Sequence, residues 1–218
     1  MSEPKQLRFT YGEALAELGA ANPRVAVVDA DMAEGTMTCW FKERYPERFF
    51  DVGVAEQNLV GVGVGLSVAG WVPFVNTFAW LLTLRAGDPL RTLVAYARTN
   101  VKLAAGYGGF SGPMDGATPQ SIMDLALVRA LPGMTVIVAS DHAQVHGLLP
   151  AVADHDGPVY LRLSRAEVQD MHPADTVFRI GQGCRLREGA DVTIIANGPI
   201  LSRALAAADV LAARGVRA

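Results

Sequence analysis

The stretch Phe50-Asp-Val-Gly-Val-Ala-Glu-Gln-Asn-Leu-Val-Gly-Val-Gly-Val-Gly-Leu66 passes from a short apolar run into a longer run with the length of a helix. It predicts a strand over 49–52 followed by a helix over 55–69. Glu56 is the only acid of this helix, and no charged residue occurs from Gln57 to Leu84. An acid at the start of a helix either stabilises the helix dipole or performs chemistry. This stretch alone leaves both interpretations open.

The same alternation of apolar strands and helices extends in both directions. It predicts strands over 25–28, 71–76, 101–105, 135–139, 159–163 and 191–196, and helices over 37–45, 79–97, 119–130, 141–153 and 199–214. Strands with so few polar residues, separated by helices, are typical of a mostly parallel sheet covered by helices on both faces. We therefore predict a doubly wound α/β fold.

The first helix is predicted from a capping signal. Thr10 and Glu13 have the spacing of a capping box ahead of the apolar run 14–18, and Asn22-Pro23 would end the helix.

Periodicity is lost between Arg165 and Gly189, where polar residues and proline dominate. We therefore divide the chain into a main α/β unit over 1–168, a linker arm over 169–189 and a second unit over 190–218. One strand and one helix cannot bury a core. The second unit is thus expected to be the start of a truncated domain, or a segment that docks elsewhere.

The composition predicts a protein that works in an assembly. Of the 218 residues, 50% are hydrophobic and 19% are charged, so we expect a partner to cover much of the surface. The net charge of −3, without a basic run, argues against nucleic acid or a membrane surface as partner. Cys39 and Cys184 have no paired spacing and read as reduced thiols. His142 and His146 lie one helical turn apart, but no third ligand follows, so we predict no metal site.

The uncharged run from Gln57 to Leu84 is long enough to span a bilayer. Gly70, Pro73 and Asn76 interrupt it, which favours a helix followed by a strand. The residues 1–6 lack the basic and apolar regions of a signal peptide. We therefore expect a cytoplasmic protein.

Chemically useful residues follow most of the predicted strands. Ligands of doubly wound sheets collect at the carboxyl ends of the strands, so these segments are expected to line one edge. They are Asp29–Asp31, Gly53–Glu56, Asn76–Phe78, Tyr107–Thr118, Ser140–His142 and Ser164–Arg165.

Taken in order, these segments resemble the pyrimidine-binding domain of transketolases. The resemblance rests on Asp29-Ala-Asp31, Gly53-Val-Ala-Glu-Gln-Asn58, Gly70-Trp-Val-Pro-Phe-Val-Asn-Thr-Phe78, Met114-Asp-Gly-Ala-Thr-Pro-Gln120, Ser140-Asp-His142 and Gly157-Pro-Val-Tyr-Leu-Arg-Leu-Ser-Arg165. It begins at Arg8-Phe-Thr-Tyr-Gly-Glu-Ala-Leu15, covers essentially the whole chain, and is strongest for the small, second subunit of split transketolases. Each motif is weak alone, whereas the ordered series is specific.

The resemblance implies thiamine diphosphate as cofactor. In this family an acid hydrogen-bonded to N1′ of the aminopyrimidine favours the imino tautomer that takes the C2 proton, and Glu56 matches that acid. Phe78 matches an aromatic residue that stacks on the pyrimidine; without the motif it would be read as a core residue. Two further aromatic residues of the family's wall are replaced by Leu81 and Leu84, so we expect an aliphatic wall here.

The resemblance also implies a sugar or sugar phosphate substrate. Arg8 and Arg165 match arginines that bind the phosphate, and Asp31 and Asp115 match acids that contact sugar hydroxyls. Tyr107, in the Gly-rich loop over 106–118, is expected to contact the substrate as well.

Departures from the family pattern cluster around this substrate site. Tyr107 and Pro119 stand where ordinary transketolases have histidines, and Gly35 stands where they have a phosphate-binding serine. A phosphate needs several donors. We therefore expect an unusual sugar that carries another anion or no phosphate; the alternative is a copy that has drifted and retains little activity.

The family holds the diphosphate and Mg²⁺ with a Gly-Asp-Gly motif followed by Asn, and this chain has no such motif. The resemblance therefore implies a large partner subunit that binds the diphosphate and Mg²⁺. The apolar surface would be the interface, and self-association would give a heterotetramer. The unit 190–218 would match the opening of the family's third domain.

The leading hypothesis is the small subunit of a heteromeric transketolase, which moves a two-carbon ketol unit from a ketose to an aldose. A second enzyme hypothesis is the β subunit of a 2-oxo acid dehydrogenase, or a deoxyxylulose phosphate synthase-like subunit. A third is a non-catalytic subunit that stabilises or regulates a partner. Glu56 and Phe78 favour catalysis, whereas Tyr107 and Pro119 favour the third hypothesis.

Overall fold

The computed structural model describes residues 5–173 and 175–218. In chain order its strands are β1 (Lys5–Gln6), β2 (Val25–Asp29), β3 (Phe49–Asp51), β4 (Val72–Phe78), β5 (Lys102–Gly106), β6 (Thr135–Val138), β7 (Val159–Arg162) and β8 (Glu167–Val168). Six of them pair in parallel in the order β3-β2-β4-β5-β7-β6. β1 and β8 form a separate antiparallel pair. The prediction of a mostly parallel sheet is confirmed.

The helices connect these strands. They are α1 (Leu7–Ala21), α2 (Ala33–Thr36), α3 (Cys39–Arg44), α4 (Glu56–Val68), α5 (Gly87–Pro89), α6 (Asp124–Arg129), α7 (His142–Asp154) and α8 (Leu201–Ala212). Leu81–Arg85 and Leu90–Tyr96 are π-helical, and Pro46–Arg48, Pro113–Asp115 and Gly198–Ile200 are 3₁₀ turns.

Helices cover both faces of the sheet. Neighbouring residues of a strand point to opposite sides, so they belong to different apolar clusters. Val27 and Phe74 belong to the apolar cluster formed with α1 and α7. Val28 and Val75, the next residues along the same strands, belong to the cluster formed with α4 and the π-helical segments. All four side chains are fully buried. Burial on both faces explains why the strands are apolar throughout.

The predicted capping box of α1 is wrong. The helix begins at Leu7 without a side-chain cap, so Thr10 lies inside it. The Thr10 side chain is buried, and its Oγ1 lies 2.5 Å from His142 Nδ1. The pairing of β1 with β8 directs the chain into the helix earlier than the local signal indicates. The predicted end is confirmed, since Asn22 N donates to Leu18 O.

The helix predicted over 79–97 is interrupted. The first π-helical segment ends before Ala86, whose backbone leaves the helical range (φ −98°, ψ 21°), and the chain continues through α5 and Leu90–Tyr96. Pro89 lies in the first turn of α5, where its missing N–H is tolerated. In the first segment the Thr83 hydroxyl donates to Ala79 O at 2.8 Å.

Two other predicted helices are shorter than expected. The helix predicted over 37–45 corresponds to α3, which begins only at Cys39. Met37, whose backbone is left-handed with φ 63°, separates it from α2. The helix predicted over 119–130 begins only at Asp124, because Pro119 and the left-handed Gly116 (φ 83°) keep the preceding chain irregular.

The strand predicted over 191–196 is not formed. The backbone N–H groups of Asp191 and Val192 donate to Arg217 O, and no strand lies beside this segment among the described residues. A strand needs a neighbour to pair its backbone, so the apolar sequence alone is insufficient. The following helix, α8, is formed as predicted.

The first part of the predicted arm packs on α7. Asp141 caps α7 by accepting from Gln144 N at 2.9 Å, and it also accepts from Met171 N and His172 N. Burial alone would raise the pKa of Asp141, but these hydrogen bonds outweigh it and lower the pKa. Phe178 packs on the same helix, since a Cβ at Gly147 would lie 2.5 Å from its ring. The division of the chain at 168 and 189 stays a prediction.

None of the helices in 5–173 and 175–218 combines the length and the apolar character needed to cross a bilayer.

Two glycines of α4 make a matched test of its packing. Gly61→Ala is expected to raise the free energy of unfolding by up to about 1 kcal/mol, because alanine favours helices and a Cβ at Gly61 meets nothing within 4 Å. Gly63→Ala is expected to lower it by about 1–3 kcal/mol, since its Cβ would lie 2.4 Å from Val75 Cγ2. Urea unfolding measures both, and effects of the same sign would contradict the packing of α4 on β4.

Candidate functional site

The carboxyl ends of the parallel strands meet at one edge of the sheet. β2 ends at Asp29, β4 at Phe78, β5 at Gly106 and β7 at Arg162. Ligand sites of doubly wound sheets form at this edge. The loops that follow these strands carry most of the residues that the sequence singles out.

Glu56 lies in the first turn of α4 and is 4% exposed. The middle of α4 contacts β4 through Gly63 and Val75. Glu56 precedes Gly63 by about 10 Å of helix, and Phe78 follows Val75 by about 10 Å of strand. Both therefore reach the carboxyl edge. Within the part of the chain that the structure describes, the Glu56 carboxyl group forms no hydrogen bond or ion pair, which leaves it available to a ligand.

Phe78 stacks on Tyr107. The two ring centroids are 4.0 Å apart and the ring planes are tilted by 31°. Tyr107 is 7% exposed and has a left-handed backbone with φ 58°, a conformation that is strained for a bulky residue. The stacked pair joins the end of β4 to the start of the Gly-rich loop.

Two arginines contact Tyr107 from different directions. Arg8 Nη1 donates to the Tyr107 hydroxyl at 3.4 Å and to Gly35 O at 3.3 Å. The Arg165 guanidinium carbon lies 4.8 Å from the centroid of the Tyr107 ring. Arg165 Nη1 also donates to Asp115 Oδ2 at 3.0 Å. The structure therefore brings four predicted substrate-binding residues together around one ring.

A cavity of about 10 Å³ lies between Arg8, Tyr107 and Arg165, which is about the space that one water needs. Tyr11 and Asn76 form part of its wall, and the Tyr11 hydroxyl donates to Asn76 Oδ1 at 2.5 Å. Asn76 Nδ2 in turn donates to a β4 carbonyl at 2.7 Å. The Tyr11 hydroxyl and the Asn76 amide therefore have hydrogen-bond partners within the protein.

The Gly-rich loop is attached to β7 by a buried ion pair that the sequence did not reveal. Arg162 donates to both carboxylate oxygens of Asp124, at 2.7 and 3.1 Å, and to Ser121 O at 3.1 Å. The Tyr160 hydroxyl donates to the same carboxylate at 3.0 Å. A Cβ at Gly108 would lie 2.5 Å from Arg162 Nε, so a larger residue would displace the arginine. An arginine in an otherwise apolar strand next to a Gly-rich loop was the available signal.

Asp29 organises the loop after β2. Its carboxylate accepts from Met32 N at 2.6 Å and from the hydroxyls of Thr38 and Thr36 at 2.8 and 3.2 Å. Burial raises the pKa of Asp29 from the ordinary 3.8 to about 6, although these hydrogen bonds oppose the rise; the charge of Asp51 adds to it. Burial, with a further contribution from Asp29, also raises the pKa of Tyr11 well above its usual value.

The other predicted site residues lie apart from the cluster around Tyr107. Asp31 is exposed, has a left-handed backbone with φ 59°, and donates its N–H to Asp51 Oδ1. Leu81 is half-buried in the first π-helical segment, and Leu84 of the same segment is 54% exposed. Among the described residues, no hydrogen bond, ion pair or ring contact joins Asp31 to the Tyr107 cluster.

Comparison with known proteins places this geometry in a family. Residues 3–171 match the family described as "Transketolase, pyrimidine binding domain". The chain is 38% identical to a "Putative transketolase C-terminal section" of Methanocaldococcus jannaschii, over 98% of this chain and 68% of that protein. It is also 38% identical to a "6-deoxy-6-sulfo-D-fructose transketolase subunit" of Clostridium sp. (strain MSTE9), over 99% of this chain and 67% of that protein.

A solved structure and a longer enzyme are similar as well. The structure titled "Split gene transketolase, inactive beta4 tetramer" superposes with a TM-score of 0.89 at 43% identity, over 99% of this chain and 70% of that chain. The "1-deoxy-D-xylulose-5-phosphate synthase 1" of Geobacter sulfurreducens is 37% identical, but this chain spans only 34% of its length.

The raised pKa of Asp29 predicts a pH-dependent stability. Between about pH 4 and 6 the folded state binds a proton that the unfolded state has released, so this group's contribution to stability falls as pH rises. Asp29→Asn removes that term. From pH 4 to pH 7.5 its stability relative to the parent chain is expected to increase by up to about 3 kcal/mol. Urea unfolding at both pH values measures the difference, and a pH-independent difference would contradict the assignment.

Proposed function

Because this chain belongs to the transketolase family, we propose that it is the small subunit of a split transketolase, which transfers a two-carbon ketol unit from a ketose to an aldose. The observation that supports catalysis is Glu56, a buried acid at the carboxyl edge whose carboxyl group has no partner among the described residues. Its oxygens are not among the fully enclosed unpaired atoms of the described residues, so the carboxyl group is open to a ligand.

The residues at this edge fit the pyrimidine half of thiamine diphosphate. When bound, this cofactor supplies the carbon nucleophile that carries the two-carbon unit. Glu56 would share a proton with N1′ of the pyrimidine ring. Phe78 would stack on that ring with the face that Tyr107 leaves open, and Leu81 and Leu84 would form an aliphatic wall beside it.

We propose that a large partner subunit holds the diphosphate and Mg²⁺, and that two copies of each chain form a heterotetramer. The motif that binds these groups in the family does not occur in this sequence. Large apolar side chains are exposed near the proposed site, as an interface would require: Val54 is 71%, Leu84 54%, Phe110 72%, Met114 90% and Ile122 68% exposed. A relative described as a split-gene transketolase supports the division between chains.

The proposed substrates are sugars with an anionic tail, bound by Arg8 and Arg165. Asp31 and Asp115 would contact sugar hydroxyls, and Tyr107 would contact the tail. The clostridial relative named for a sulfo sugar indicates that relatives of this chain use anions other than phosphate.

The runner-up is a subunit that works like deoxyxylulose phosphate synthase, because one such enzyme is 37% identical to this chain. That reaction consumes pyruvate, whereas the proposed ketol transfer does not. Turnover of pyruvate by the assembled complex, without ketose turnover, would reverse the order of the two candidates.

The proposed role of Glu56 is tested by Glu56→Gln in the complex of this chain with its diphosphate-domain partner. The neutral amide cannot share a proton in the same way. We expect binding of thiamine diphosphate with Mg²⁺ to remain, and C2 proton exchange of the bound cofactor to fall at least about a hundredfold. Calorimetry measures the binding and NMR measures the exchange.

Glu43→Gln is the matched control, because Glu43 is an exposed acid on α3. It should leave both quantities unchanged. Undiminished exchange in Glu56→Gln would overturn the role of Glu56. Tight cofactor binding by this chain alone, or no binding by the complex, would overturn the division of the site between two subunits.

A further inference from the structure

The strongest unexplained feature is the way Tyr107 holds two cations. The ring is fixed on one side by Phe78, at 4.0 Å between centroids. Arg165 lies over the ring and Arg8 bonds its hydroxyl. Because the hydroxyl accepts from Arg8, its own proton is free to be donated to a ligand.

The free donors around Tyr107 are on the two arginines, the tyrosine and Ser164, whose hydroxyl accepts from Ala166 N at 3.0 Å and keeps its own proton. Arg8 Nε bonds Gln6 and its Nη1 bonds Gly35 O and Tyr107, which leaves Nη2 without an acceptor among the described residues. The Arg165 guanidinium donates only through Nη1, to Asp115. Its Nε and Nη2 therefore have no hydrogen-bond acceptor within 5–173 and 175–218.

Among the described neutral polar groups of the cavity wall other than Tyr107, Ser164 adds one free donor, and the others add none. The Thr36 hydroxyl has acceptors in Asp29 Oδ2 at 3.2 Å and Met32 O at 3.0 Å. The Asn76 amide donates to backbone carbonyls, and the Tyr11 hydroxyl donates to Asn76. A ligand that contacts these groups is therefore bound by guanidinium groups, one phenol and one serine hydroxyl.

The net positive charge that the protein presents to the ligand is small. Arg8 and Arg165 contribute two positive charges, and Asp115 is ion-paired with Arg165 at 3.0 Å. The balance is one positive charge. A phosphate monoester carries about two negative charges near neutral pH, so it would leave one uncompensated beside Asp115. A sulfonate carries one negative charge and presents three oxygens, which suit donors that approach from two directions.

From this balance we infer that Tyr107 is a specificity-determining residue that, together with Asp115, selects a substrate tail ending in a sulfonate over one ending in a phosphate. The inference rests on the proposed function, since it concerns the sugar that the complex would use. Tyr107 sets the positions of both guanidinium groups and supplies one neutral donor. Asp115 neutralises one of the two positive charges, which a doubly charged phosphate would need.

The test uses small probes that share a hydroxyethyl group and differ in the anionic group attached to it. Isethionate (2-hydroxyethanesulfonate), 2-hydroxyethyl phosphate and 3-hydroxypropanoate are titrated by calorimetry at pH 7.5 into the complex of this chain with its partner. We expect isethionate to bind about tenfold tighter than the phosphate probe. The planar carboxylate should bind more weakly than isethionate, because it pairs with a single guanidinium group.

Two variants test the cause of the preference. Asp115→Asn removes the acid and is expected to strengthen binding of the phosphate probe about fivefold or more. Binding of isethionate should increase by a smaller factor, because the added net charge acts on one negative charge instead of two. Tyr107→Phe keeps the ring and removes the hydroxyl, and it should weaken isethionate binding about threefold to tenfold. A residue that only supports the loop would change the affinity for both probes equally.

The inference is overturned if the phosphate probe binds as well as isethionate, if 3-hydroxypropanoate matches isethionate, if neither variant changes the affinity ratio, or if no probe binds. C2 proton exchange of thiamine diphosphate, measured on the same complex without probes, tests the proposed function separately. Normal exchange with a phosphate preference would reject the tail assignment and retain the enzyme. Loss of exchange with the expected probe ratio would do the reverse.

Discussion

The parallel direction of the six main strands is the constraint on which the candidate site depends. It brings Asp29, Phe78, Gly106 and Arg162 to one edge, although they are far apart in the sequence. It also requires a helix between strands, and α4 starts at the same edge with Glu56 in its first turn. The site is therefore built from loops and helix starts that one sheet places side by side.

Apolar runs and ordered motifs in the sequence predicted the buried strands and the identities of the candidate site residues. Strands buried on both faces are apolar throughout, so β2, β4, β5 and β7 were found within one or two residues. The capping signal at Thr10 predicted the wrong start of α1, because the pairing of β1 with β8, which are distant in sequence, overrides a local cap. The apolar run 191–196 predicted a strand that is not formed, because a strand needs an adjacent strand and sequence periodicity does not show whether one is present. Both errors come from contacts that are distant along the chain.

For the site, the identities were easier to predict than the arrangement. The acid at Glu56 and the aromatic at Phe78 followed from the ordered motifs, and their roles remain proposals. The stacking of Tyr107 on Phe78 could not be predicted, because it depends on a left-handed backbone at Tyr107. The pairing of Arg162 with Asp124 also needed the structure, since the two residues are on different elements and Asp124 lies outside the ordered motifs.

The short pair of β1 and β8 has a consequence for modularity. It sets Lys5 opposite Val168 and Gln6 opposite Glu167, so the two ends of this α/β segment lie side by side. A segment closed in this way can be joined to other domains, or separated from them, without threading a new strand through the sheet. The whole chain, which contains this segment, matches 34% of the length of the synthase from Geobacter and 70% of the split-gene chain, as a modular segment allows. Gene fusion and gene division are thus equally compatible with its topology.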